Sequence, residues 1–423
     1  MPRRRALAMT LDRKWAVAGM LAFAAAINYA DRAALSAVFA PLRSDLGLTD
    51  VQLGTLGSVF LWSYAACSPL AGFLADRVSR SRLVVFSLAS WSLVCALTGF
   101  AQNFAQLVAA RILLGVTESL YLPAATALLA DHHAPQSRGT AMAVHSVGLN
   151  LGVVLGGTVA GYLADHFGWR PGFVVLGAAG ILMAGAAAFI LRDAPGAALR
   201  ARSAAPVWAS LKRLAAIPSY LILLAKAMLA GVGIWIFLNW LPLFYRETYG
   251  WNLAASGFVG TFMVQASTTM GIAGGGYWSD RLAMRETRNR MLLQSLSYLC
   301  AAPFLLLFLT TPGFVTASLS VFVFSVLRGV GQSNENPVLC DVVEPRLRST
   351  AIGFMNLAAC FAGGLGVLVA GALKRDFGLA GVFAGISILF VAAGALLLAG
   401  YRYFLTRDVL RQEEAAGKLT PSV

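Results

Sequence analysis

The sequence predicts an all-α polytopic membrane protein, with twelve transmembrane helices forming two pseudo-symmetric six-helix bundles and both termini cytoplasmic. Three observations predict it. Of the 423 residues, 58% are hydrophobic and 12% charged, at a mean hydropathy of +0.71, which is too apolar for a chain dissolved in water. The apolar residues also gather into runs long enough to cross a bilayer as helices, near residues 15–41, 51–75, 83–101, 104–129, 138–164, 171–191, 219–245, 254–279, 291–310, 314–340, 349–373 and 379–401. Finally, the second six runs repeat features of the first.

The first run follows Arg3-Arg4-Arg5, a possible start for a signal peptide, but it exceeds a signal h-region and holds Asp31 and Arg32 in its interior, so it is expected to remain in the mature protein. The second carries Tyr64 and ends in the loop containing Gly72, Asp76, Arg77 and Arg80. The fourth holds Arg111 and Glu118 well away from its ends, where ionised groups cost several kcal/mol. Seven residues apart on a helix, they share one face at about 10 Å, with Gly115 lowering the surface between them.

The fifth run carries His145, Asn150 and the glycines 148, 152, 156, 157 and 161, which permit close helix contact; His145 reads as a packing histidine. The longest polar interruption runs from Asp193 to Pro218 and divides the chain into 1–192, a linker 193–218, 219–405 and a tail 406–423. Within the linker, Val207 to Ala215 reads either as an amphipathic surface helix or as a disordered segment. The seventh run contains Lys226, read as snorkelling to the surface, and Asn239-Trp240-x-Pro242. The eighth contains Gln265, the tenth Arg328, Gln332 and Glu335, and the eleventh Asn356 with glycines 363, 364, 366 and 371.

Most of the 33 Lys and Arg fall on connections sharing the side of both termini, which the positive-inside rule places in the cytoplasm. The net charge of +14 is therefore a mark of orientation, and no basic groove or aromatic-interleaved patch suggests a nucleic acid partner. The cysteines Cys67, Cys95, Cys300, Cys340 and Cys360 lack metal-ligand spacing and are expected to be buried small hydrophobes; no metal is implied.

Internal repetition is specific. Asp131-x3-Pro135-x2-Arg138-x-Thr140-Ala141 matches Asp341-x3-Pro345-x2-Arg348-x-Thr350-Ala351 at an offset of 210, which also pairs Gly161 with Gly371 and Phe167-Gly168 with Phe377-Gly378. Gly72-x3-Asp76-Arg77 recurs as Gly276-x3-Asp280-Arg281. Two such bundles in parallel order form a rocking transporter with its substrate site at the midplane.

Gly72-x3-Asp76-Arg77-x2-Arg80 between the second and third spans resembles the signature of the major facilitator superfamily, and the resemblance covers nearly the whole chain. Ser79 and Ser81 stand where the family has its second glycine and a basic residue. The resemblance implies that Gly72, Asp76, Arg77 and Arg80, with Asp280 and Arg281 in the copy, control the access state; topology anchoring alone is the other role open to them. Within the superfamily, Asn28-Tyr29-x-Asp31-Arg32 and Arg111-x3-Gly115-x2-Glu118 resemble the anion:cation symporters, which take up sugar acids and related organic anions with protons. Tyr64, Asn239 and Asn356 fit positions that help hold substrate in that group, while Spinster-type lipid carriers share much of the pattern. A related glycine-rich fifth span is associated with antiporters, a point against symport, although close helix packing accounts for the glycines without implying a direction.

Carboxylates at mid-depth suit proton coupling, so Asp31 and Glu118 are the expected protonation sites. Arg32 is expected to hold a substrate carboxylate in two parallel charge-assisted bonds, with Asn28, Arg111 and Arg328 as further cavity residues. Permanent pairing of Asp31 with Arg111, or of Glu118 with Arg32, is the structural alternative. The offset of 210 sets Arg328 against Glu118 and leaves Glu335 about two turns away as an inner-gate or kink residue. Span interiors hold Arg32, Arg111, Lys226 and Arg328 against Asp31, Glu118 and Glu335, a balance that favours an anionic cargo. The expected partners are a small organic anion, protons as the coupling ion without other cofactor, and lipids of a bacterial-type inner membrane, for a monomeric chain. Four histidines without a His-Glu-x-x-His or Gly-x-Ser-x-Gly motif argue against an enzyme. A receptor would be expected to carry a sizeable soluble domain, and the apolar runs leave no stretch that reads as one.

Overall fold

The computed structural model describes residues 2–75, 77–193, 207–284, 286, 288–310 and 313–415. They form sixteen α-helices: α1 Pro2–Ala37, α2 Phe39–Leu46, α3 Asp50–Ala75, α4 Arg80–Thr98, α5 Phe104–Ser119, α6 Tyr121–His132, α7 Pro135–Phe167, α8 Trp169–Ile190, α9 Val207–Ala215, α10 Pro218–Tyr249, α11 Leu253–Ala283, α12 Asn289–Leu305, α13 Phe314–Ser333, α14 Glu335–Val342, α15 Arg348–Tyr403 and α16 Leu405–Ala415. Among the described residues, nine helical stretches are long and apolar enough to cross a membrane. One is α15, which turns at Gly378 (φ 64°) and so contains two expected spans; there a left-handed residue favours glycine. The expected span 15–41 runs along α1 into the start of α2 and 254–279 lies within α11, yet both fall short of the same measure. The segment 207–215 is a helix, while Asp76, 194–206 and 416–423 lie outside the described residues.

Two compact units emerge. The first comprises Met1–Arg202 with Leu238–Phe262, and the second Ser203–Phe237 with Met263–Val423. In the first, α1 lies along α7 because the glycine ladder removes the side chains between them: a Cβ on Gly148, Gly152 or Gly156 would collide with the carbonyl oxygens of Ala22, Ala26 and Ala30 in turn. Small residues four apart thus let two backbones touch, the packing route open to helices in lipid. The segment Leu238–Phe262, where α10 gives way to α11, belongs to this unit through several contacts. Asp165 accepts hydrogen bonds from Leu253 N and Ala254 N, both 2.9 Å, at the start of α11, and Arg43 pairs with Glu247 at 2.8 Å. Phe39 also meets Trp240 with ring centroids 5.3 Å apart.

In the second unit, α11 and α13 approach through Gly271 and Gly329, whose added Cβ atoms would strike the backbones of Val326 and Thr268. Gly363 and Gly366 make room for Trp235 and Val232. An aromatic core of Phe237, Phe308, Phe324, Phe383 and Phe390 holds α10, α13 and α15 together.

Candidate functional site

The polar core of the first unit is built by three helices. Gly115 brings α5 against α3 so closely that a Cβ would lie 2.7 Å from Phe60 O and 2.9 Å from Tyr64 N. That approach sets Glu118, three residues on, beside α1, where Arg32 Nε donates to Glu118 Oε2 at 2.6 Å. Arg32 Nη2 donates to Asn28 Oδ1 at 3.1 Å, one turn back along α1. Three rings surround the guanidinium, with Arg32 Cζ 4.6 Å from the Tyr29 centroid, 4.9 Å from Phe60 and 4.7 Å from Tyr64. Aromatic faces attract a guanidinium while leaving its edge free for a planar anion. The Arg32 side chain keeps 10% of its surface exposed, whereas Glu118 keeps none.

Asp31 and Glu118 are neighbouring carboxyls, and among the described residues no other group donates a hydrogen bond to either Asp31 oxygen. Arg111 is buried, with Nε and Nη2 lacking acceptors and its guanidinium 5.5 Å from the Phe173 ring. The cluster therefore contains two cations and two acids, but one tight ion pair, and the pair formed is Arg32–Glu118. Asp31 can gain a proton without giving up a partner. His145, in contrast, packs against Tyr121, its Nε2 3.0 Å from the hydroxyl, in line with a packing role.

Tyr64 thus stands at Arg32, and Asn28 supports it. Asn239 lies in the portion of α10 that belongs to the first unit and is half-buried. Asn356 is exposed on α15. The second unit brings Arg328 to Thr268 Oγ1 at 2.6 Å and to Gln332 Oε1 at 3.1 Å. Lys226 corrects the sequence reading: instead of snorkelling outwards it is fully buried and pairs with Glu335 at 2.8 Å. Glu335 is accordingly the counter-ion of a buried lysine. The cysteines also differ from expectation, since Cys95 is buried but Cys300 is exposed and the others are half-buried.

In the signature loop, Arg80 pairs with Asp131, and Arg77 lies over the Phe73 ring, 3.2 Å from its centroid. In its copy, Arg281 stacks on Tyr277 at 4.8 Å and Asp280 is 3.6 Å from Arg290. A Cβ at Gly72 or Gly276 would meet open space, so packing does not demand either glycine here. Asp76 lies outside the described residues. Sequence reasoning gave Tyr29 no role beyond its place in the motif and missed Phe60. Their signal was present as an aromatic beside the charge pair on span one and an aromatic pair four residues apart on span two.

The comparisons with known proteins agree with this architecture. The chain is 27% identical over 418 residues to an MFS-type efflux pump of Mycolicibacterium smegmatis, covering 95% of each protein. It is 26% identical to a probable sulfoacetate transporter of Cupriavidus necator, covering 91% of each, and 26% identical to a hexuronate transporter of Bacillus subtilis, covering 90% of each. A solved bacterial homologue of the human lysosomal transporter Spinster, inward-facing and unoccupied, superposes with a TM-score of 0.75 at 20% identity, covering 97% of this chain and 99% of the other. These relatives are transporters rather than enzymes. The sequence pattern of the Major Facilitator Superfamily matches residues 21–367, and the chain, a multi-pass membrane protein, belongs to that family.

Proposed function

We propose that the protein is a secondary active transporter that takes up a small organic anion, such as a sugar acid or another carboxylate, together with protons by alternating access. The observation that carries this reading is the 2.6 Å pair between Arg32 and Glu118, set inside three aromatic rings with a second carboxyl alongside. While Glu118 is ionised it occupies Arg32. When Glu118 takes a proton, the guanidinium edge becomes available to a substrate carboxylate, whose planar pair of oxygens it matches. Asp31 is the second proton acceptor, and Arg111 supplies positive potential that draws an anion inwards. Coupling follows because carboxylate and substrate compete for one cation.

The sulfoacetate and hexuronate transporters among its relatives support an organic anion as cargo. The reading includes twelve crossings with both termini cytoplasmic, a bacterial-type inner membrane, and a monomer needing no cofactor beyond the coupling proton. Proteoliposome uptake of an organic-acid panel, with and without an inward proton gradient, tests it. Accumulation of at least one acid only when the gradient points inwards is expected; indifference of every acid to the gradient would refute it.

A second reading, proton-driven export of a drug or lysolipid, draws on the efflux-pump relative and the glycine ladder of α7. Gradient-dependent extrusion of a hydrophobic cation or lysolipid in the same vesicles would favour it.

A further inference from the structure

The second unit contains an imbalance of buried charge that the proposed mechanism does not use. Lys226 on α10 is fully buried, and Arg328 on α13 is nearly so. Glu335 at the start of α14 pairs with Lys226, 2.8 Å from its Nζ, while Arg328 donates to the neutral side chains of Thr268 and Gln332. Glu335 is within electrostatic reach of both cations but pairs with Lys226, so Arg328 is buried with neutral hydrogen-bond partners in a place where an uncompensated charge costs several kcal/mol. The imbalance is also visible atom by atom. Arg328 Nε is buried without an acceptor, and Lys226 Nζ, although in contact with Glu335, makes no aligned hydrogen bond.

The surroundings are shaped for this cluster. Tyr298 on α12 presents its ring to Lys226, whose Nζ lies 5.5 Å from the centroid. It reaches α13 only because position 331 is glycine: a Cβ there would collide with the Tyr298 ring and with Ser297 Oγ at 2.7 Å. Exposure is asymmetric across the ion pair. The Lys226 side chain is 1% exposed and that of Glu335 26% exposed, so the carboxylate has a route to water that the ammonium lacks. A rotation of Glu335 outwards would take from Lys226 the carboxylate it pairs with and leave Arg328 Nε still without an acceptor.

We propose that Lys226, Arg328 and Tyr298 form a second anion site, taking a carboxylate or sulfonate group of the cargo, in which the Glu335 carboxylate is a resident and exchangeable ligand. The inference rests on an organic anion being the cargo but not on Arg32 holding it. Lys226 provides the point charge, Arg328 the directed N–H and Tyr298 a ring wall. Glu335 sets the affinity by competition, and its protonation or outward rotation admits the incoming anion.

Titrating the purified full-length protein in nanodiscs with sodium D-gluconate and with sulfoacetate, followed by calorimetry, tests this. Glu335→Gln is expected to tighten binding of the better probe about 10-fold, and Lys226→Gln to weaken it by a similar factor. The exchanged pair Lys226→Glu/Glu335→Lys guards against simple unfolding. If the pair is only structural, the exchange restores both thermal stability and affinity; if the site binds anions, it restores stability while affinity stays low. Unchanged affinity in Glu335→Gln, or full affinity in the exchanged pair, would overturn the proposal. Arg32→Ala separates the two readings. Loss of binding in Arg32→Ala with no response to Lys226 or Glu335 leaves the Arg32 site alone standing, whereas a response to Lys226 and Glu335 without one to Arg32 leaves only the second site.

Discussion

Arg80 pairs with Asp131, and 210 residues further along Arg290 pairs with Asp341 at 3.5 Å, the partners being separated by 51 residues in each case. The arginines that follow repeat as well. Arg138 donates to Ala130 O at 3.1 Å and Arg348 to Cys340 O at 2.7 Å, again 210 residues apart. Each unit therefore ties the start of one helix to the end of another with the same acid and the same two arginines. The first copy is the more enclosed, with its side chains 17% and 11% exposed. Removing one partner from a partly buried pair strands the other, so Arg80→Ala is expected to lower stability by about 2 kcal/mol, and Arg290→Ala by less. Thermal denaturation in detergent checks both, and an equal or inverted order would show that enclosure does not govern these pairs.

Glu118→Gln tests proton coupling. The amide keeps the shape of the side chain and still accepts from Arg32, but it neither carries the negative charge nor titrates. Gradient-driven accumulation is expected to vanish, while some exchange of anion across the membrane persists. Accumulation at the wild-type level would remove Glu118 from the coupling role.

Arg32→Ala is expected to lower anion affinity at least about 10-fold, since truncating one member of a buried charge pair costs more than about 1.4 kcal/mol. Arg32→Lys should recover only part of this, because an ammonium cannot offer two parallel donors or stack among three rings. Equilibrium binding of the transported acid provides the measurement. Full affinity in Arg32→Ala would place the anion elsewhere.

Much of this arrangement is legible in the residues themselves. Gly115 between Arg111 and Glu118 marks a lowered helix surface, and it is the point where α5 meets the α3 backbone. The offset of 210 exposes a repetition that the ion pairs reproduce. Pairing across helices is different, because it depends on how distant segments pack. Arg32 and Glu118 are 86 residues apart, and nothing in their local spacing selects that pair over Asp31 with Arg111. Lys226 misleads for a similar reason. Its position near a helix end suggests snorkelling, but Glu335 and Tyr298 come from distant segments and supply a buried alternative. Contacts such as Asp165 with Leu253 leave no sequence signal either, being hydrogen bonds to backbone.

Gly152 offers a direct test of the helix contact on which the first unit depends. Its α-carbon lies so close to α1 that a Cβ would collide with Ala26, and backbone cannot move aside as a side chain can. Gly152→Val is therefore expected to cost about 3 kcal/mol or more and to reduce the yield of monodisperse protein sharply. Gly139→Ala, where a Cβ meets open space on the same helix, serves as the control and should be tolerated. Wild-type behaviour of Gly152→Val would mean that α1 and α7 do not pack as described.

Asp45 carries the pH prediction, because it lies near the end of the short helix α2, beyond the expected span 15–41. The Trp169 indole, donating at 3.0 Å, and the Arg170 guanidinium at 2.6 Å hold its carboxyl below the usual carboxylate range. A depressed folded-state value means that ionised Asp45 contributes stability above the unfolded value, near 3.9, and that this contribution fades as pH falls through the lower folded value. With the pair well exposed, solvent screening keeps the effect below about 1 kcal/mol. Asp45→Asn should thus melt slightly below wild type at pH 7, by the same margin at pH 5.5, and converge with it below about pH 4. A margin that widened on acidification would have the wrong sign and would show that the Trp169 and Arg170 contacts do not act on the ionised form.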